Sequence, residues 1–450
     1  MSVAAGNKYL ESLLQGGPRM PSSPLGWFNE LRAEAVDRLG ALKLPTTRDE
    51  EWRFTDISPL ANLSLQPARA GSSSLQVSDI AHFHLDEAAV RLVFVDGSFA
   101  PHLSLLPNAA GSSEHAPVTV GNLRVALSGQ GEGRHGESAE QHFAEQHLGK
   151  HVQFRNNLFA AVNTAFLHDG ALIMERRNAV IENPIHLLFI ATQTETANHP
   201  RCLVIAESGS AITFVEDYVA LREGVCVTNA VTEIFLADNS EVNHVRVQRD
   251  SGEAFHIANC AVSVGRASRY RSVNVAMGGR ISRYDLNVLL AAEGAECAID
   301  GLALIGSRQL ADTHTCIDHA KANGTSRQLH KCIVDGAAHA VFNGKILVRP
   351  NAQRTDSSQS SRNLLLNPRA RVDTKPQLEI FADDVKCAHG ATVGQLDNEE
   401  LFYLKSRGLG EATARNLLTY AFGAEVIERI CIASLKRRLE EIVLQQTRKN

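Results

Sequence analysis

Cys387 and His389 stand two residues apart, and the same spacing recurs at His314/Cys316 and His330/Cys332. Thiolate and imidazole suit iron–sulfur clusters, zinc and copper(I). Side chains on a strand alternate with period 2, so both members of each pair would project from one face. None of the pairs brings the third and fourth ligands of a closed site. A free cysteine is also among the most buried residue types, and burial as a small hydrophobe is the default for the first two pairs. Cys387/His389 differs because Gly390 leaves the backbone open beside it and Lys386 is placed to lower the thiol pKa. Two ligands do not hold a cluster. Both residues are therefore candidate metal ligands whose partners must come from another chain.

Other constellations carry less. Asp383 and Asp384 are neighbours, and neighbours on a strand point to opposite faces, so they cannot readily converge on one scissile bond. Solvated surface acids are the expectation for them and for Asp356 and Asp373. Gly344-Lys345 resembles the end of a phosphate loop, but Ile346 replaces the Ser/Thr and His339 stands where the first Gly belongs. Ser357, Ser358, Ser360 and Ser361 have no GxSxG elbow. Neither a nucleotide site nor a serine hydrolase is expected.

The elements that position these residues follow from the rhythm of the chain. Residues 340–395 carry short apolar runs separated by Asn, Asp, Pro and Gly, which predicts strands of about four to six residues joined by tight bends. Similar runs follow one another from about Gly170. Corners at Gly209, Asn239, Gly265 and Gly294 lie 30, 26 and 29 residues apart. A repeat of that size in an all-strand region points to a mainly β fold built as a solenoid, one coil per repeat. A β-sandwich would show denser turns without an echo. The boundaries read as an N-terminal helical and mixed region over 1–165, a β-helix core over 166–396 and a C-terminal helical domain over 397–450.

In the first region Ser23 is placed to cap a helix with Pro24 at its first position, 118–127 reads as a strand and 129–136 as a loop. In the last, Asp397 caps a helix that stops at Arg407-Gly408. A second helix from about Ala412 then carries one continuous apolar stripe from Leu417 to Val443, about eight turns. That is long for an end cap, so part of it is expected to serve a partner.

The hydrophobic fraction of 44% and charged fraction of 21% fit a globular chain, and a net charge of −5 argues against nucleic acid as the main partner. No apolar run approaches the roughly 20 residues of a membrane span. The N-terminus has no apolar signal core, and the eight cysteines include no CxxC. These features predict a cytoplasmic protein with free thiols and no membrane association.

TDSSQSSRNLLL, DTKPQLEIFADDVKCAHGAT and YLKSRGL, together with EEWRFTDIS at 50–58, NTAFLHDG at 163–170 and THTCIDHAKANGTSRQLHK at 313–331, closely resemble the SufB/SufD family. EEWRFTDIS favours its SufD branch. These proteins are scaffold subunits of the SUF iron–sulfur cluster assembly system. The resemblance implies a right-handed parallel β-helix with no catalytic activity of its own, working in a SufB–SufC–SufD complex. In that complex the β-helix pairs with SufB and the C-terminal helices dock the ATPase SufC. The surface expected to meet SufC includes Leu417, Leu418, Phe422 and Ile427. The histidine matching His389 is implicated in cluster assembly with a SufB cysteine across the interface, and Cys387 lies beside it. A role in iron acquisition, a transient iron or cluster at that interface with no permanently bound cofactor, and a homodimer in isolation belong to the same expectation. The alternative is a secreted-type β-helix enzyme acting on acidic polysaccharide, which predicts a signal segment and a row of converging acids and bases. A self-sufficient metal store would need a complete ligand set in one chain.

Overall fold

The computed structural model describes residues 7–16, 23–69, 71, 74–106, 117–128 and 139–446, so the 129–136 loop lies outside the described residues. Strands alternate between two sheets. One stacks Ala171–Glu175, Arg201–Ala206, Cys226–Leu236, Phe255–Val264, Ile281–Leu290, Leu310–His319, His339–Val348 and Arg371–Ile380 in parallel. The other stacks Val90–Val95, Ile185–Ala191, Ala211–Ala220, Glu241–Arg249, Arg269–Ala276, Glu296–Ile305, Thr325–Val334, Thr355–Leu365 and Val385–Gly394. Every second strand in sequence is the hydrogen-bonded neighbour, which makes a β-solenoid of about eight turns. The stack draws Val90–Val95 from well upstream of the main strand run. Residues 118–127 divide into a strand, Val118–Asn122, and a short helix, Leu123–Leu127, because the antiparallel partner Ala171–Glu175 ends at Asn122.

The corners explain the repeat. Gly209, Asn239, Ala267, Gly294, Asn323 and Arg354 all have positive φ. Each of their N–H groups donates to a carbonyl of the next coil: Gly209 to Asp238, Asn239 to Arg266, Ala267 to Glu293, Gly294 to Ala322, Asn323 to Gln353 and Arg354 to Asp384. Three of the four sequence corners are these left-handed residues. The fourth is displaced: Ala267 holds the left-handed position, while Gly265 is needed for clearance. A Cβ there would lie 2.8 Å from the Leu236 carbonyl oxygen.

Inside the coils the packing changes along the axis. Ile212, Phe214, Ile234, Val262, Tyr284, Leu286 and Val288 fill the earlier turns. From the Leu310–His319 turn onward inward positions also include Thr315, Gln328, Ser326, Ser357, Gln359 and Ser361, joined by hydrogen bonds beside an apolar cluster of Ile346, Val348 and Ala352. Burial of these polar groups is tolerated because nearly all find partners.

Helices cover the outer faces. N-terminal side chains including Tyr9, Leu13, Ala35, Leu39 and Ile57 pack against Val231, Phe255 and Ile257 of the first sheet. The helix expected to start at Ser23 begins at Gly26. Ser23 accepts from the Leu25 N–H and donates to the Leu127 carbonyl, so it ties the segment down without capping it. Asp397 does cap Asn398–Ser406, accepting from the Glu399 N–H at 2.7 Å, and Gly408 follows with φ 92°. The continuous C-terminal helix is corrected to two helices, Glu411–Ile427 and Ala433–Gln446. Ile430 and Ile432 are both buried, at 3% and 2% exposure. Residues two apart cannot share a helix face, and both are buried from the non-helical link between the two helices. Val426, Ile427, Leu435, Leu439 and Val443 then pack on Val245, Val273, Leu302 and Ile333 of the second sheet.

Candidate functional site

The last coil consists of Arg371–Ile380 and Val385–Gly394, each hydrogen-bonded to one neighbour and ending its sheet. Cys387 and His389 lie on the second of these strands, in register with Ser357 and Gln359 of the coil before. Cys387 is half-buried and packs with Leu378 and Val385 over Ile346 and Val348, so it faces the coil interior. Strand alternation puts His389 on that face too, and it is exposed because no further coil covers it. Gly390 has open space around it, as the sequence suggested.

The electrostatics depart from expectation at Lys386. Burial raises the Cys387 thiol, and the Asp356 carboxylate raises it further against a backbone N–H of Ser357. Lys386 is exposed and stands in register with Asp356, so it does not activate the thiol. A metal ion arriving at Cys387 must itself drive the proton off. Among the described residues no group of three or more His, Cys, Asp or Glu side chains is arranged to hold a metal ion. The pair can supply two ligands, and any others must come from elsewhere.

The remaining Cys/His pairs lie apart from this place. His330 is buried and stacks on Phe342 at 4.4 Å, with its Nδ1 3.6 Å from the Cys332 sulfur. Burial pushes that imidazole down to about 3 and that thiol up to about 12. Both are structural. His314 faces outward on the other sheet, between Asp312 at 3.0 Å and Glu51 at 3.2 Å. Burial would lower it, but Asp312 outweighs that and raises its pKa to about 9. Glu51 and Trp52 belong to the EEWRFTDIS segment. Trp52 lies under the Arg283 guanidinium at 3.9 Å, Thr55 donates to Asp312 at 2.6 Å, and Glu50 pairs with Lys375. Glu51, Trp52, Arg283 and His314 help wall a cavity of about 860 Å³ lined also by Lys43, Asn287, Cys316 and Lys345.

The acids sort as surface ion pairs: Asp356 with Arg327, Asp373 with His339 and Arg371, while Asp383 and Asp384 are exposed. The residues expected to meet a partner separate. Leu417 is 43% exposed, while Leu418 and Phe422 line a cleft of about 420 Å³ between the helix and the last coil. Ile427 is 0% exposed and belongs to the packed layer, so it offers no surface. Phe402 and Tyr403, exposed by 74% and 57%, were missed, although two aromatics in a polar helix were a readable signal. Gln359 and Ser357 carry no signal of an inward position in the sequence, since TDSSQSSRNL is polar on both faces; only its alternating burial marks the inward set.

A solenoid with helices on its outer faces and a thiol/imidazole pair at its open end has the build of an assembly scaffold. A family model described as the SUF system FeS cluster assembly, SufBD core domain, matches residues 189–422. The chain therefore belongs to the SufBD family of the SUF system for iron–sulfur cluster assembly, as a SufD-type member. It is 40% identical to an iron–sulfur cluster assembly SufBD family protein of Synechocystis, over 92% of this chain and 90% of that one. It is 32% identical to the SufD protein of Escherichia coli, over 95% and 97%. The SufD protein of Bacillus subtilis is 25% identical over 93% of each.

Proposed function

We propose that this chain is the non-ATPase scaffold subunit of a cytoplasmic SufB–SufC–SufD complex, without catalytic activity of its own. In this reading the core over 166–396 pairs with the β-helix of SufB. Cys387 and His389 contribute to a nascent cluster site that SufB completes, where iron or a cluster is transient cargo. The region over 397–450 docks SufC through the exposed side of its helices, with Leu417 and the cleft residues Leu418 and Phe422. Stacked coils move as a stiff body, so closure of the ATPase pair would be carried to the cluster site without unfolding the scaffold. Iron acquisition falls to the same interface, and a homodimer forms when SufB is absent.

The observation that carries this reading is the position of the pair. Two soft ligands share the inward face of the terminal coil, where the edge is open and the ligand set is incomplete. The test is His389→Ala in the co-expressed complex. Iron content and cluster absorbance should fall at least about ten-fold, with subunit stoichiometry and thermal stability near wild type. Normal loading in a fully assembled variant complex would sink the reading.

A further inference from the structure

The polar interior leads to His389. Gln328 Nε2 donates to Thr315 Oγ1 at 2.8 Å, and Gln359 Nε2 donates to Gln328 Oε1 at 2.8 Å. This directed chain commits the Gln359 NH2 group to the preceding coil. Its carboxamide oxygen is left buried without a partner, although the residue is only 3% exposed. A buried acceptor left unpaired is destabilising, which raises the question of what donor completes it. Gln359 and His389 are register partners on adjacent strands. Such neighbours stand about 4.8 Å apart along the stack, with side chains on the same face. The amide has room because Gly344 lies opposite. A Cβ on Gly344 would sit 2.2 Å from Gln359 Nε2 and 2.7 Å from its Cδ.

We propose that Gln359 is a positioning residue for His389: its unpaired carboxamide oxygen accepts the ring N–H and fixes the imidazole over the end of the solenoid. This rests on the reading that His389 takes part in cluster assembly. A neutral imidazole has one donor and one acceptor nitrogen, so engaging the N–H sets the tautomer. The other nitrogen then presents its lone pair to an iron ion or a proton at the open end. Partners of this kind orient a ligating histidine, and their loss typically costs ten- to hundred-fold in metal affinity or activity. The line of amides gives a reason for glutamines at the two coil positions that follow Ile299 in register. Each one fixes the orientation of the next.

The test reads the ring directly. In the full-length chain with 15N-labelled histidine, the His389 signal is identified by its loss in His389→Ala, and its two ring-nitrogen shifts give the tautomer ratio at alkaline pH. The wild-type ring should be held in one tautomer. Gln359→Leu should return the ratio to that of an exposed histidine peptide, and Gln359→Glu, still an acceptor, should retain the bias. Gly344→Ala crowds the same amide from across the coil and should shift the ratio even if Gln359→Leu fails to fold. A peptide-like ratio in the wild type, or a ratio unmoved by these changes, overturns the proposal.

Cluster loading of the co-expressed complex supplies the second arm. It should drop about ten-fold in Gln359→Leu and recover in Gln359→Glu. A packing role gives the opposite order, since leucine suits a buried site and a carboxylate does not. If the tautomer responds to Gln359 but His389→Ala complexes load normally, the hydrogen bond stands and the proposed function fails. If His389→Ala abolishes loading while the tautomer ignores Gln359, the proposed function stands and this inference fails.

Discussion

Lys331 and Phe422 are joined twice: the ammonium donates to the Phe422 carbonyl at 2.8 Å and lies 4.5 Å from the centre of its ring. Lys331 projects outward from the strand that carries His330 and Cys332 inward, and its side chain is only 4% exposed. Glu425 closes the contact at 2.5 Å, Arg362 approaches the same carboxylate at 3.3 Å, and Arg429 pairs with Asp300 one coil earlier. A helix held by apolar packing alone can slide. This one, with the turn that follows it, is pinned by ion pairs to three successive coils, with Lys331 at the centre.

Lys331→Met should therefore loosen the helix Glu411–Ile427 without disturbing the coils. The loss is on the order of 1–3 kcal/mol, because a charge-assisted bond at a nearly buried site is removed while Glu425 keeps Arg362. Hydrogen exchange should quicken across residues 411–427 and stay unchanged in the strands. Equal protection in variant and wild type would mean that the apolar layer alone fixes the helix.

The EEWRFTDIS clasp should be pH-dependent. His314 has a folded pKa of about 9 against an ordinary 6.5, raised chiefly by Asp312. A raised pKa contributes stability that is complete below about pH 6.5 and is lost as pH rises through about 9. Exchange of residues 50–58 should accelerate between pH 7 and about 10, beyond the intrinsic increase with pH. In His314→Gln the corrected rates should be fast throughout and nearly flat. A corrected wild-type profile as flat as the variant's would show that the imidazolium does not hold the segment.

Much of this architecture was legible because strand alternation and corners both leave marks in sequence. The corner spacing anticipated the coil, and the stop at Arg407-Gly408 anticipated a helix end. The misreadings have physical causes. Ala267 was passed over because glycine is the usual signal for positive φ, while Gly265 serves clearance. The break after Ile427 has no glycine or proline to announce it, and both Ile430 and Ile432 are buried from it. Lys386 was credited with activating Cys387 because adjacency in sequence was taken for proximity, although alternation sends the two side chains to opposite faces. The polar interior was hidden because serine and glutamine on a strand ordinarily mean a solvent face. Here the stacked coils satisfy them internally.

Thiol reactivity should follow the coil geometry. Cys431 is exposed, and Cys387 and Cys316 are half-buried. Cys202, Cys226, Cys260, Cys297 and Cys332 are buried, with burial raising every one of these thiols. Mild alkylation followed by mass spectrometry should modify Cys431 first and Cys387 and Cys316 more slowly. The buried five should react only after denaturant is added. Early labelling of Cys332 would mean that the coil interior opens in the native state.

The partner surface can be separated from the packed layer by matched substitutions. Phe402 and Leu417 are exposed, whereas Ile427 is sealed against the second sheet. In the proposed complex these exposed apolar side chains on adjoining helices, and not the buried stripe, are the ones able to meet the ATPase subunit. Phe402→Asp combined with Leu417→Asp should weaken co-purification with the ATPase subunit at least about ten-fold, since charge is driven into an apolar contact. Circular dichroism and melting temperature should be unchanged, because neither side chain belongs to a core. Ile427→Asp should do the reverse in order of events: the helix pair detaches first, because an unpaired carboxylate in that layer costs several kcal/mol. Partner loss then follows from unfolding. If the double variant binds the ATPase subunit as tightly as wild type, the exposed aromatic side is not the docking surface. The cleft residues Leu418 and Phe422 would then carry the contact, and Leu418→Asp should be the substitution that abolishes it.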